Sequence, residues 1–163
     1  HDRERGILIG AIMEELSFMI QGDSEGYVTF ECPFCHSEFK LQAGEFQDDD
    51  NPVYDLWCPY CGLTADKNNF LSQEVKAKAE EMAYNYMVEE INKAFGKMSR
   101  SINRSKGIIK MTYKPLKKMH GKDIVEKDTV ETPFECSCCN RHTKILYGIG
   151  KACAYCAYCG VTI

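Results

Sequence analysis

The sequence predicts a small α+β protein in which metal sites replace much of the hydrophobic core. Three observations predict it. The ten cysteines of the 163 residues fall mainly into Cys-x-x-Cys pairs. Those pairs occur in two similar copies, one near each end. Between the copies runs a long stretch with apolar residues at helical spacing. The expected architecture is two modules of short antiparallel strands flanking a long amphipathic helix. At 27% charged and 44% hydrophobic residues, the chain is neither a disordered tail nor a membrane protein. It begins at His1 rather than Met, so a longer parent sequence is expected.

Residues 1–27 are expected to form an N-terminal helix. Over 4–20, Leu8, Ile12, Leu16 and Met19 recur at helical spacing, with Ile9, Met13 and Ile20 beside them. Gly10 costs this helix about 1 kcal/mol relative to alanine. The same segment does not read as an export signal. Two arginines precede its apolar run, but Glu14 and Glu15 break the run and no small-residue cleavage site follows. No stretch approaches the roughly 18 apolar residues of a spanning helix.

Residues 28–69 carry the first pairs, Cys32/Cys35 and Cys58/Cys61. Residues 129–163 carry Cys136/Cys139 and Cys156/Cys159. Between the pairs lie 22 residues in the first copy and 16 in the second, close to the spacing of paired metal knuckles. A two-residue spacer lets one tight turn aim both sulfurs at an ion about 2.3 Å away, and two facing turns complete a tetrahedron. The segment CPFCH, Cys32 to His36, also fits covalent haem attachment. The repeat argues against haem. FECPFCH (30–36) matches FECSCCN (134–140), so Asn140 stands where haem would need a ligand. Haem would also leave the second pair of each copy without a purpose. WCPYCG (57–62) matches YCAYCG (155–160).

With these residues in view, each copy resembles a zinc ribbon, the rubredoxin-like family of paired knuckles on short strands. The resemblance covers about 28–66 and 132–163. It implies one Zn2+ per copy, two per chain, and left-handed turns at Gly62 and Gly160 that let backbone N–H groups reach the thiolates. It implies little about function, since ribbons serve many tasks. The second copy has two further cysteines, Cys138 and Cys153. The ladder Cys153, Cys156, Cys159 leaves a shifted pairing open, while the repeat and Gly160 favour Cys156/Cys159. The spare pair reads as small apolar filler, or more sharply as a redox-responsive thiol beside the metal.

Residues 70–99 are expected to be the long helix. Val75, Ala79, Met82, Tyr86, Ile91, Ala94, Phe95 and Met98 make its apolar stripe, and Glu74–Lys78 and Glu89–Lys93 are favourable i,i+4 pairs. The stripe reads as core, against which the N-terminal helix would bury its own apolar face.

Residues 100–128 are expected to be a basic strand or linker. The stretch 97–122 holds nine Lys or Arg and no Asp or Glu. Removing those nine from the total of 20 leaves 11 cations against 24 acids, a net of −13, so the overall −4 conceals a polarised chain. GIIKMTYKP (107–115) alternates, with Ile109, Met111 and Tyr113 on one side and Lys110, Thr112 and Lys114 on the other. Such asymmetry points to a polyanion, DNA or RNA, met by Arg100, Arg104, Lys106, Lys110, Lys114, Lys117 and Lys118. The plainer reading is a solvated linker, or a surface docked on the acidic stretch EFQDDD (45–50).

No catalytic constellation stands out. His36-Ser-Glu38 followed by CPYC faintly resembles a zinc deaminase signature, but Trp57 rather than Pro precedes Cys58, and four thiolates close the coordination sphere. There is no phosphate loop, nucleophile elbow or HExxH helix. His120 and His142 read as surface histidines. The expectation is a non-catalytic, cytoplasmic, metal-binding protein with nucleic acid as partner and neither a membrane nor a small-molecule substrate. Two alternatives stand beside it. One is a protein-interaction adaptor within a larger protein or complex. The other is a rubredoxin-like iron electron carrier, because WCPYCGLTADKNNF resembles a rubredoxin knuckle, although His36 stands where rubredoxins have Gly.

Overall fold

The computed structural model describes residues 6–10, 17–105, 107–126, 128–145 and 154–163. It divides into two compact units, one of residues 1–76 with 124–163, the other of residues 77–123. No helix among the described residues is long and apolar enough to cross a membrane.

The first unit opens with a hairpin of β1 (Gly6–Gly10) and β2 (Ser17–Gln21), where the sequence suggested a helix. Residues 11–16, with Ile12, Met13 and Leu16 of that expected helix, lie outside the described residues. A short apolar run fits both periods, and here the period of two prevails. Ile7 pairs with Ile20 and both are buried, whereas the next pair, Leu8 and Met19, faces out. A glutamine fixes the hairpin: Leu8 N–H donates to Gln47 Oε1 at 2.9 Å, and Gln47 Nε2 donates to the Gly6 carbonyl at 2.7 Å.

The central sheet is built by both cysteine modules together. Strands β3 (Tyr27–Glu31) and β4 (Glu38–Gln42) flank the first pair; β7 (Thr132–Glu135) and β8 (His142–Ile145) flank the third. The order is β3-β4-β8-β7, antiparallel throughout, so equivalent strands of the two copies meet in the middle. One face carries Val28, Phe30, Phe39, Leu41 and Ile145 into the core. Phe30 packs on Phe46 of the short helix α1 (Ala43–Phe46) at 5.0 Å, and Phe39 meets Phe70 edge-on at 5.9 Å.

The opposite face holds a buried charge cluster. Lys40 and Lys144, equivalent residues of the repeat, pair directly across β4 and β8. Their ammonium groups share Asp23 Oδ2, at 3.3 and 3.4 Å. Asp23 Oδ1 accepts the N–H groups of Glu25 and Tyr27, at 3.1 and 2.9 Å. Glu126 lies 3.8 Å from Lys40, Glu25 pairs with Lys144, and Lys144 sits 4.3 Å over the Tyr27 ring. Glu126 also accepts from the Thr29 N–H and hydroxyl, at 2.9 and 2.8 Å. A third small sheet, β5 (Asp55–Trp57) with β6 (Thr64–Asp66), flanks the second cysteine pair.

Helix α2 (Gln73–Arg104) starts in this unit, where Ser72 Oγ accepts the Val75 N–H at 3.4 Å and Val75 joins the core. From residue 77 on, the helix and an extended strap make the second unit. Three asparagines hold the strap by its backbone. Asn85 exchanges both amide bonds with Met119 at 2.8 and 2.7 Å, Asn92 with Leu116 at 2.9 and 2.8 Å, and Asn103 with Met111 at 3.0 and 3.0 Å. Tyr113 stacks on Phe95 and donates its hydroxyl to Asn92. The alternation of the strap is real on one side, with Met111 and Tyr113 half-buried and Lys110, Thr112 and Lys114 exposed, but it forms no strand ladder. Ile109 is exposed as well.

Only the start of the helical stripe is core: Val75 is buried and Ala79, Met82 and Tyr86 are half-buried, whereas Ile91, Ala94, Phe95 and Met98 are exposed. Val88 is the one buried apolar side chain among the described residues of this unit, while Tyr84, Met87, Ile91, Phe95 and Met98 are exposed. The strap covers only a narrow track of the helix, and the expected N-terminal helix is replaced, in its described residues, by strands 6–10 and 17–21.

Burial works to raise Asp23, but two backbone N–H bonds and the two lysines hold its carboxyl below the ordinary range. Its contribution is therefore present above the unfolded carboxylate pKa and lost as the pH falls through the lower folded one. Replacing Asp23 by Asn leaves two buried ammonium groups without this carboxylate. The expected cost at neutral pH is about 3–5 kcal/mol in urea unfolding of the metal-loaded chain. A loss below about 1 kcal/mol would show that Glu25 and Glu126 suffice.

Candidate metal centres

Four knuckles of one design make the two sites. In each, a cysteine follows a strand or, at Cys156, an isolated β-bridge, the chain turns over two residues to the next cysteine, and the residue after that is left-handed. Those residues are His36 (φ 60°), Gly62 (φ 71°), Asn140 (φ 56°) and Gly160 (φ 71°). The turn closes through paired bonds: the N–H of His36, Gly62, Asn140 and Gly160 donates to the carbonyl of Cys32, Cys58, Cys136 and Cys156, at 3.0, 2.9, 2.8 and 2.9 Å. Glycine reaches this conformation without strain, and asparagine does so more readily than most residues.

The turns bring together the eight cysteines that the spacing selected. The sulfurs of Cys32, Cys35, Cys58 and Cys61 lie within 4.8 Å of one another, and so do those of Cys136, Cys139, Cys156 and Cys159. Sulfurs from opposite knuckles stand 3.7 Å (Cys32–Cys61), 3.6 Å (Cys35–Cys58), 3.6 Å (Cys136–Cys159) and 3.6 Å (Cys139–Cys156) apart. Four sulfurs placed tetrahedrally about 2.3 Å from one ion would be about 3.8 Å apart. The donor sets therefore fit, and each group can hold a metal ion. Cys138 is exposed, and Cys153 lies outside the described residues.

Burial opposes thiolates at Cys32, Cys58, Cys139 and Cys156, and backbone amides work against it. N–H groups of Phe34 and Cys35 point at the Cys32 sulfur at 3.4 and 3.5 Å; those of Tyr60 and Cys61 point at Cys58, both at 3.4 Å. Cys138 N–H serves Cys136 and Tyr158 N–H serves Cys156, each at 3.4 Å. Burial opposes ionisation of Cys35, yet the Ser37 hydroxyl and amide with the neighbouring thiols bring it down to about 6. Cys136 comes down to about 7 against the same opposition, through the amides of Cys139 and Cys138. Burial pushes Cys58 and Cys156 far up, so those two deep thiols need the positive charge of an ion to stay deprotonated.

The acidic stretch around 45–50 is committed elsewhere in the same unit. His142 donates its N–H to Glu45 at 2.6 Å and sets Nδ1 2.6 Å from the other carboxylate oxygen. Arg141 donates to the Asn51 carbonyl at 2.6 Å and lies 3.9 Å from Asp48. His142 is thus a structural contact rather than a bare surface histidine. Sequence reasoning missed two further residues, Trp57 and Tyr155, which stand before the second pair of each copy. Their signal was the aromatic residue repeated just ahead of that pair.

The predicted nucleic-acid residues belong to the second unit. Arg100, Arg104, Lys110, Lys114, Lys117 and Lys118 are all exposed, and Lys106 lies outside the described residues. Lys118 is engaged by Glu89 at 2.9 Å.

Comparison with known proteins gives no assignment: no family model matches the chain, and no curated protein or solved structure matches it either.

Elemental analysis of the purified chain should find two metal ions. Replacing Cys138 by Ser should leave both in place, and replacing Cys58 or Cys156 should remove one or more. Loss of an ion from the Cys138 variant would mean that the second site uses another set of sulfurs.

Proposed function

We propose that this chain is a non-catalytic double zinc-ribbon protein that binds the backbone of a nucleic acid through the basic arm 97–122. Zinc suits the sites because four thiolates close a tetrahedron and leave no open position for a substrate. Iron in the same ligands is the alternative, and it is separated by colour, since an iron tetrathiolate absorbs visible light and zinc does not. The proposal includes the cytoplasm, where thiolate ligands do not compete with disulfide formation.

One observation carries the nucleic-acid reading. From residue 91 to 122 the chain has ten cations and no acid. Among the described residues of 97–122, Lys118 is the only cation that meets a carboxylate. The others face water, Lys97, Arg100 and Arg104 from the end of helix α2 and the rest from the strap whose backbone is already held, so little ordering opposes binding. Tyr113, stacked on Phe95, is not free to stack on a base. The expected contacts are therefore to phosphate, with little sequence preference.

A second reading, an adaptor for a protein partner, is favoured by the exposed track of Tyr84, Met87, Ile91 and Met98. The two readings differ in their response to salt. Phosphate binding by about four cations gives a log–log slope of roughly −3 to −4, whereas apolar docking is nearly flat. In a fluorescence-anisotropy titration, replacing Lys110, Lys114 and Lys117 by Glu should abolish binding and leave the metal content at two. Absence of binding to DNA or RNA at low salt would end the nucleic-acid reading.

A further inference from the structure

The two sites meet at their second knuckles, and each borrows a residue from the other. Trp57 N–H donates to the Ala157 carbonyl at 2.9 Å, and Tyr155 N–H donates to the Pro59 carbonyl at 3.0 Å. Pro59 and Ala157 are equivalent residues, each just after a buried ligand cysteine, Cys58 or Cys156. The exchange is therefore reciprocal. The rings repeat the pattern. A Cβ at Gly160 would come within 2.7 Å of Trp57 Nε1, and one at Gly62 within 3.0 Å of the Tyr155 ring. Each aromatic lies on the left-handed glycine of the other module.

Resting on the reading of both cysteine sets as metal sites, we infer that the two sites load as one coupled unit, with Trp57 positioning the second site and Tyr155 the first. A knuckle without its ion keeps one backbone turn bond, Gly62 N–H to Cys58 or Gly160 N–H to Cys156, and weak N–H···S bonds, so its carbonyl and glycine are held less firmly. The aromatic seated on them then loses its acceptor and its floor. That aromatic is bonded directly to Cys58 or Cys156, so the disturbance reaches a ligand of the other site within one residue. Conversely, the first ion fixes the acceptor and floor that the second site needs, and the second ion meets a site already arranged.

The test uses the full chain, stripped of metal under reducing conditions and titrated with Zn2+. Native mass spectrometry counts ions per chain, and the single Trp, which touches both sites, reports order by fluorescence. Tenfold coupling leaves about a quarter of the chains with one ion at half loading, against about half for independent equal sites. Replacing Cys156 by Ser should weaken the first site about tenfold, measured against a chromophoric chelator, although its four thiols are intact. Trp57→Ala should weaken the second site, and Trp57→Phe should restore most of its affinity. One-ion chains at half or more, together with an unchanged first site in the Cys156 variant, overturn the coupling and leave the metal reading standing. A chain that takes up no ion overturns both.

Discussion

Two buried lysines that share one carboxylate set the terms for the central sheet. Lys40 and Lys144 face each other where β4 and β8 meet, and Asp23 is the acceptor they have in common. Burying an ammonium group is costly unless it is paired, so this junction forms in one register or not at all. A slip of β8 by one residue against β4 would turn Lys144 toward the aromatic core and Ile145 toward the charged face. The register that satisfies Asp23 is also the one that lines up Phe39 and Ile145 with the core and brings the knuckles of the two modules side by side.

Much of the metal chemistry was legible because it is local. A Cys-x-x-Cys turn is fixed by its own few residues, and the repeat told which eight cysteines gather into two sets of four. The left-handed position was legible at Gly62 and Gly160 and concealed at His36 and Asn140, where only the alignment of the copies points to it. The N-terminal hairpin was misread for a physical reason. Ile7, Leu8 and Ile9 are consecutive, so the run satisfies the helical and the strand period alike, and tertiary packing decides. The pairing of β4 with β8 was beyond sequence reasoning, since it joins residues about a hundred positions apart. The asparagines left a faint signal. Asn85 and Asn92, with Ser99 next, recur every seven residues on a helix that is otherwise amphipathic, and polar residues in such a row ask for a backbone to satisfy.

The second unit reverses the usual balance between helix and core. Its helix owes little to burial, with Val88 alone inside, and more to its own propensity, to pairs such as Glu89 with Lys93 at 3.2 Å, and to the strap it grips. Amide pairs to a backbone constrain position more than they stabilise. The strap is thus presented in a fixed, extended form with its cations outward, which suits recognition of a repeating charge.

The ends of the central sheet carry a different consequence. Strand β7 is an edge and contains Pro133, which has no N–H to offer a neighbour. Strand β3 is the other edge, and there the Glu126 carboxylate takes the Thr29 N–H that an incoming strand would need. An open edge is a template on which further chains can add and grow into fibres. Here one margin lacks a donor at Pro133, and on the other Glu126 occupies a donor while Leu71 bridges Phe30, so both margins of the four described strands resist the addition of another.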